Sequence, residues 1–255
     1  MSDLARLLWE ARKNGGVVPV DAIVEPKTID EAYAVQDEVM RLSGHVAAGF
    51  KVGSTSAEAQ RLLGTDEPGS CPVLAPYLFD SPARLSVDSA HMPAVEGEFA
   101  FRLARDLPPR EADYGRDEVL DAIDAVAGAI EVVGTRIAGG LAGKGRFLVT
   151  ADSGANIALV VGAWSPMRAD VDLRAHRVAM TINGNAKGQG DGARALGDPL
   201  NVMVWLANRQ SKRGRGLTQG MCVSTGTCTG LDPIGPGDHV AAYFGSLGSV
   251  VIDVA

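Results

Sequence analysis

The stretch "PAVEGEFAF", residues 93–101, sets Glu96 and Glu98 into a run that is otherwise apolar or small. In a strand, residues two apart face the same side. The two carboxylates therefore project together, while Val95, Gly97, Phe99 and Phe101 face the other way. Leaving two neighbouring carboxylates buried and unpaired costs several kcal/mol each. Either this is an edge strand whose polar face meets water, or something positive sits over that face. A second segment, "AVAGAIEVVGTR" (125–136), carries a third acid, Glu131, in an apolar run with no alternation of charge. Exposure explains one such strand easily and two less easily. Three carboxylates without a neighbouring histidine or cysteine make a hard, all-oxygen donor set, which favours Mg²⁺ or Mn²⁺ in six-fold coordination over zinc. Three protein ligands leave three positions for water or a chelating substrate, and that suits Lewis-acid catalysis better than structural metal binding.

Outward from this pair, further strands are expected at 94–103, 129–135, 156–162, 174–183, 221–225, 238–244 and 248–254, separated by turns such as "NGNAKGQGDGA" and "DPIGPGD". The first 65 residues read as mainly helical. Leu4, Leu7, Leu8 and Ala11 follow the helical period up to Gly15–Gly16. Thr28 with Glu31 opens a second helix that runs to Gly44, and Thr55 with Glu58 repeats that signature before a short helix ending at Gly64. Two more helices are expected in "RDEVLDAIDAVAG" and in "DPLNVMVWLANRQSKRG", the latter capped by Asp198 with Pro199 at its first position. The expected architecture is α+β: a helical N-terminal lobe over residues 1–65, packed on a β-rich catalytic body over 66–255.

With 255 residues, 46% of them hydrophobic, the chain is long enough to bury a sizeable core. A net charge of −7, scattered along the chain, gives no footprint for nucleic acid. No run approaches 18 apolar residues and the first helix is charged throughout, so neither a membrane span nor a signal peptide is expected. Cys71, Cys222 and Cys228 lack metal or redox spacing and read as free thiols of a cytoplasmic protein. The glycines of "NGNAKGQGDGA" lack the G-K-[ST] ending of a phosphate loop. His45, His91, His176 and His239 share no ligand spacing, and Ser224 lacks a nucleophile-elbow context. Lys51, flanked by Gly49, Phe50, Val52 and Gly53, is either a strand-edge surface lysine or a buried cation facing the carboxylates.

Several stretches carry a family resemblance: "GFKVGSTS" (49–56), "QRLLGTDEP" (60–68), "VEGEFAF" (95–101), "AIEVVGTR" (129–136), "ADSGAN" (151–156), "LGDPLNVMVWLANRQSKRGRGLTQGMCVSTGTCTG" (196–230) and "GDHVAAYFGSLGSV" (237–250). In consistent order from about residue 2 to 254, they resemble the 2-oxopent-4-enoate hydratase/4-oxalocrotonate decarboxylase family of the fumarylacetoacetate hydrolase superfamily. The resemblance implies a mixed β-roll with flanking helices, and Glu96, Glu98 and Glu131 as ligands of Mg²⁺ or Mn²⁺. It further implies Lys51 as an active-site lysine that binds substrate or assists proton transfer, Asp152 as a retained catalytic position, and Thr225 as a substrate contact. Departures from the family pattern are "EPGSCPVL" where members often read Pro-Asp-Phe-Gly, Gly134-Thr135-Arg136 where they often read Asp-Ser-Arg, and "DSGAN" for Asp-Asn-x-Ser. The implied reaction is addition of water to a 2-hydroxydienoate, giving a 4-hydroxy-2-oxo acid. A 4-oxalocrotonate-type decarboxylase is the nearest rival, and an acylpyruvate C–C hydrolase, with His45 as its nominated base, is another. A homo-oligomer, with possible association with a pathway aldolase or decarboxylase, completes the expectation.

Overall fold

The structure is a computed structural model that describes residues 2–168 and 171–255. Its helices are α1 (Ser2–Asn14), α2 (Ile29–Ser43), α3 (Ala57–Leu63), α4 (Arg116–Leu120), α5 (Gly145–Ala151) and α6 (Pro199–Lys212). A nine-stranded mixed sheet contains β1 (Ala47–Gly53), β2 (Gly69–Leu74), β3 (Leu78–Asp80), β5 (Ala94–Leu103), β6 (Ile123–Val133), β7 (Asn156–Val161), β8 (Ser165–Pro166), β11 (Cys222–Thr227) and β12 (Asp232–Pro233). A five-stranded sheet contains β4 (Ala83–Leu85), β9 (Arg177–Ile182), β10 (Asn185–Asp191), β13 (His239–Tyr243) and β14 (Ser249–Val254). The large sheet runs β2-β1-β11-β5-β6-β7-β3 and the small one β10-β9-β13-β14-β4. The α+β class and the β-roll expected from the sequence are both present.

The long antiparallel pair β5·β6 is the spine. One of its faces carries Val95, Phe99, Phe101, Val126, Ile130 and Val132, which merge with Met180, Val240, Phe244, Val250 and Ile252 of the small sheet into the main core. Phe99 and Phe244 meet edge to face at 5.7 Å between centroids, the geometry that aromatic quadrupoles prefer. Gly128 is required by this contact, since a Cβ there would overlap the Phe244 ring. A second core lies under α1, α2 and α5, built from Leu4, Leu8, Val35, Val39, Leu74 and Leu148. β1 lies on the N-terminal side of the boundary expected at residue 65, yet it is the second strand of the large sheet, between β2 and β11.

The caps of α2 and α6 are as the sequence indicates. Thr28 accepts from the Glu31 amide, Gly44 closes α2 in the left-handed region, and Asp198 accepts from the Leu200 amide. Three local expectations are corrected. The cap of α3 is Ser56, which accepts from the Ala59 amide, while Thr55 is buried. The helix expected in "RDEVLDAIDAVAG" lasts only through Leu120. From Ile123 onward the backbone pairs with β5, and a β-branched, two-sided apolar run gains more there than a helix with one buried face would. The glycine-rich segment after Ile182 is a hairpin: it turns at Asn183–Gly184 and returns as β10 along β9. Also unforeseen, β2 spans "GSCPVL" and α5 follows the loop after Arg136. Among the described residues, no helix is long and apolar enough to cross a membrane.

Candidate metal and active site

The register of β5 on β6 sets Glu96 directly opposite Glu131, with Glu98 one pleat along on the same face, opposite Ala129. Each residue offers one oxygen, and these oxygens lie within 4.8 Å of one another. Glu98 and Glu131 are fully buried, whereas Glu96 keeps part of its surface open to a cavity of about 320 Å³. Glu98 Oε2 accepts from the Ser224 hydroxyl and from the Gly226 amide at 2.9 Å. Glu131 Oε1 accepts from Asn156 Nδ2 at 2.9 Å and faces Lys51 Nζ at 3.3 Å. The other oxygens, Glu98 Oε1 and Glu131 Oε2, are buried without a partner among the described residues. Orphaned buried carboxylate oxygens are costly, and here both belong to a cluster of three acids. That donor set, hard and all-oxygen, fits a divalent cation of the Mg²⁺ or Mn²⁺ type.

The protonation equilibria carry the same strain. Burial, then the nearby Glu131 charge, lifts Glu96 to about 7. Burial, then Glu131 and Glu96, holds Glu98 well above the usual carboxylate range. Without a cation, the cluster lowers its charge by keeping protons.

Lys51 is the one ammonium set against this cluster among the described residues lining the cavity. β1 carries it between Ser224 of β11 and Cys71 of β2. Burial alone draws its pKa down, but the negative charge of Glu131, and after it Glu96 and Glu98, outweighs that, and Lys51 sits above the ordinary lysine value. It is therefore a cationic donor at neutral pH. Gly154 backs it: the residue has φ +59°, and a Cβ there would stand 2.8 Å from Lys51 Cε. The Cys71 thiol beside it is pushed up to about 12 by burial and stays neutral.

The remaining sequence candidates lie farther out. Asp152 is buried in an ion pair with Arg136 (Nε to Oδ1, 2.7 Å) and also accepts from Thr135 Oγ1 at 2.7 Å and the Arg136 amide at 3.0 Å. Arg136 in turn donates to the Asn156 carbonyl at 2.8 Å, and Arg12 donates to the same oxygen at 2.6 Å. Asp152 thus reaches the carboxylate cluster indirectly, through Arg136 and Asn156, the partner of Glu131. Thr225 is buried with its hydroxyl donated to the Phe99 carbonyl at 3.0 Å, and it does not line the cavity. Its neighbour Ser224 is the residue that touches Glu98. Ser224, Asn156 and Gly154 were not singled out for this role in the sequence; the quoted "ADSGAN" and "STGT" stretches held them, but nothing local says which residue of each points inward. His45 is exposed beside Trp9, with ring centroids 6.4 Å apart, and is not a cavity residue.

The outer cavity is walled by Leu62, Leu63, Leu141 and Leu231 and carries an ion pair between Arg146 and Glu67, Nη2 to Oε1, at 2.7 Å. Among the described residues, its lining holds Lys51, Glu96, Glu67 and Arg146 as charged side chains and no histidine. Such an arrangement can bind a small acid, polarise it and shelter an apolar tail.

Comparison with known proteins agrees with this geometry. Residues 51–255 match the family model described as fumarylacetoacetate (FAA) hydrolase C-terminal. The chain is 32% identical over 253 residues to a 2-keto-4-pentenoate hydratase of Paraburkholderia xenovorans, covering 97% of this chain and 92% of that one. It is 31% identical over 231 residues to a 4-oxalocrotonate decarboxylase of Pseudomonas putida, covering 88% and 84%. Among solved structures, a 4-oxalocrotonate decarboxylase from Pseudomonas putida G7, complexed with magnesium and adipate, superposes with a TM-score of 0.89 at 26% identity, covering 100% of this chain and 97% of that one. The chain belongs to the 2-keto-4-pentenoate hydratase/4-oxalocrotonate decarboxylase family, within the fumarylacetoacetate hydrolase superfamily.

Proposed function

We propose that this protein is a hydro-lyase that adds water to a 2-hydroxydienoate of the 2-hydroxypenta-2,4-dienoate type, giving a 4-hydroxy-2-oxo acid in the breakdown of aromatic compounds. The observation that carries the reading is the cluster of Glu96, Glu98 and Glu131 with Lys51 against it, reached from a cavity that Lys51 and Glu96 line and that holds no histidine among the described residues. Glu96, Glu98 and Glu131 would hold a divalent ion, which would supply Lewis-acid polarisation of the bound acid. Lys51, kept protonated by its acidic neighbours, donates to the substrate carboxylate and holds a proton at Nζ beside Glu131. Gly154 leaves room for that ammonium, and Asn156 orients Glu131, itself steadied by Arg136 and Asp152. Leu63 and Leu141 take the hydrocarbon end, with Leu62 at the open rim.

The rivals lack a part. A C–C hydrolase needs a base to activate water, and His45 lies outside the cavity. A decarboxylase of a longer diacid needs a cation for the distal carboxylate. Arg136 is consumed by Asp152, Gly134 and Asn156, and Arg146 by Glu67. The test follows a monocarboxylic 2-hydroxydienoate and its dicarboxylic analogue side by side by NMR, with Mn²⁺ or Mg²⁺ present. Water added to the monoacid is the expected result; CO₂ released from the diacid with no water added to the monoacid overturns the assignment.

The same reading takes the enzyme as a homo-oligomer of the reducing cytoplasm, able to associate with a pathway aldolase or decarboxylase. Three buried free thiols suit that compartment. Light scattering on a sizing column reads the oligomer directly; a monomer at micromolar concentration removes that part of the proposal.

A further inference from the structure

The cavity that opens on Lys51 and Glu96 is also lined by Glu67 and Arg146. Glu67 sits in the loop between α3 and β2, where Thr65 Oγ1 accepts from its amide at 3.2 Å and donates to its carbonyl at 3.0 Å. Its carboxylate is therefore presented from a held backbone rather than from a free loop. Arg146 comes from α5 and meets Glu67 Oε1 at 2.7 Å; Arg209 of α6 stands 4.0 Å from Oε2. Both partners are more than half covered, with side-chain exposures of 19% for Arg146 and 35% for Glu67. The rest of the outer wall is leucine-rich. Arg146 is thus the one cation lining the cavity, among the described residues, that lies outside the carboxylate and Lys51 cluster, and it is already engaged.

We propose that Glu67 is a specificity-determining residue: by holding Arg146 in an ion pair, it denies that guanidinium to a distal substrate carboxylate and sets its own negative charge there instead. The proposal rests on the hydratase reading for the orientation of the substrate, with C1 at Lys51 and the carboxylate cluster. Like charges brought together in a partly desolvated pocket repel strongly enough to exclude a ligand. An unpaired Arg146 would do the reverse, since its fork of donors matches a carboxylate bidentately. The alternative is that the pair only tethers the α3–β2 loop to α5, as many partly exposed ion pairs do with little energetic effect. In that case its loss alters all ligands alike.

Two saturated 2-oxo acids of equal chain length separate these accounts without any turnover: 2-oxohexanoate, with an apolar end, and 2-oxoadipate, with a carboxylate end. Calorimetry on the Mn²⁺-loaded protein is expected to show the wild type preferring 2-oxohexanoate. Glu67→Gln is expected to shift the affinity ratio toward 2-oxoadipate by about tenfold or more. The double variant Glu67→Gln with Arg146→Met is expected to lose that gain. A ratio that moves by less than about twofold in Glu67→Gln at wild-type Mn²⁺ affinity, or a gain that persists without Arg146, overturns the proposal. Should Glu67→Gln disturb Mn²⁺ binding, Arg146→Met alone decides. It leaves the Glu67 charge unpaired and must lower the ratio further against the diacid; an unchanged ratio overturns the proposal. Binding of both acids without hydration of a dienoate would remove the reaction assignment and leave the selectivity of Glu67 measured.

Discussion

The two faces of β5 and β6 are made by the same strands and do opposite work. One face buries Phe99, Phe101, Ile130 and Val132 against the small sheet, with every apolar contact favourable. The other buries Glu98 and Glu131 beside Glu96, with two carboxylate oxygens left unpartnered. The strand period of two separates them cleanly, so a change on one face need not disturb the other. Stability is drawn from the aromatic face, and the acidic face, with its orphaned oxygens, is costly unless a cation offsets it.

The largest effect expected from breaking this division is on the aromatic face. Phe99→Ala removes a fully buried ring that packs on Phe244 and should lower unfolding free energy by about 3–5 kcal/mol. Below the new melting point, Mn²⁺ affinity should stay close to wild type. Denaturant melts with parallel metal titrations check both halves, and a matching loss of metal affinity would show the faces to be coupled.

Glu98→Gln attacks the other face. It keeps the size of the side chain and an acceptor for Ser224 and the Gly226 amide, but removes one ligand charge. Mn²⁺ affinity should fall by roughly a hundredfold, about 2.7 kcal/mol, and turnover should be lost. The metal-free variant should be at least as stable as the metal-free wild type, because a strained buried acid has gone. Wild-type titration and turnover in this variant would end the metal-site reading.

A smaller effect is expected where the acidic face meets substrate. Lys51→Met should spare Mn²⁺ binding while kcat/KM falls about tenfold or more, near 1.4 kcal/mol. Steady-state kinetics indistinguishable from wild type would return Lys51 to a structural role. The smallest effect is graded with pH. Glu96 and Glu98 are raised in the folded state, so the folded metal-free protein binds more protons than the unfolded chain. Their stabilisation is complete below the ordinary carboxylate value of 4.5 and, for Glu96, is lost as pH climbs toward about 7. The melting temperature of the metal-free protein should fall across that window, and saturating Mn²⁺ should flatten the fall, since the ion displaces the protons. Mn²⁺ affinity should rise over the same range. A pH-independent affinity between 5 and 8 would contradict the raised Glu96.

Much of both faces was legible in sequence. Alternation in "PAVEGEFAF" assigns Glu96 and Glu98 to one side and the phenylalanines to the other, and the register of β5 on β6 brings Glu131 to the first side as expected. Local capping chemistry marked α2 and α6 well, because an Ncap side chain bonds within its own turn. The apolar segment after Leu120 reads as helix because "LDAIDAVAG" satisfies the helical and strand periods alike, and only pairing with β5 decides between them. β10 was hidden because its glycines and polar residues signal turn, while its ladder to β9 supplies what its own propensity lacks.

Thus the sequence by itself determined the α+β class, the caps of α2 and α6 and the shared face of Glu96 and Glu98, features that patterns within short segments carry. Tertiary structure alone decided the rest of the site. Lys51 meets Glu131 from 80 positions away in the chain, Ser224 meets Glu98 across 126, and Arg146 reaches Glu67 across 79. A periodicity states which face a side chain takes; it does not state which strand will lie opposite. That choice is made by burial of both sheets together, a property of the whole chain that no short segment contains.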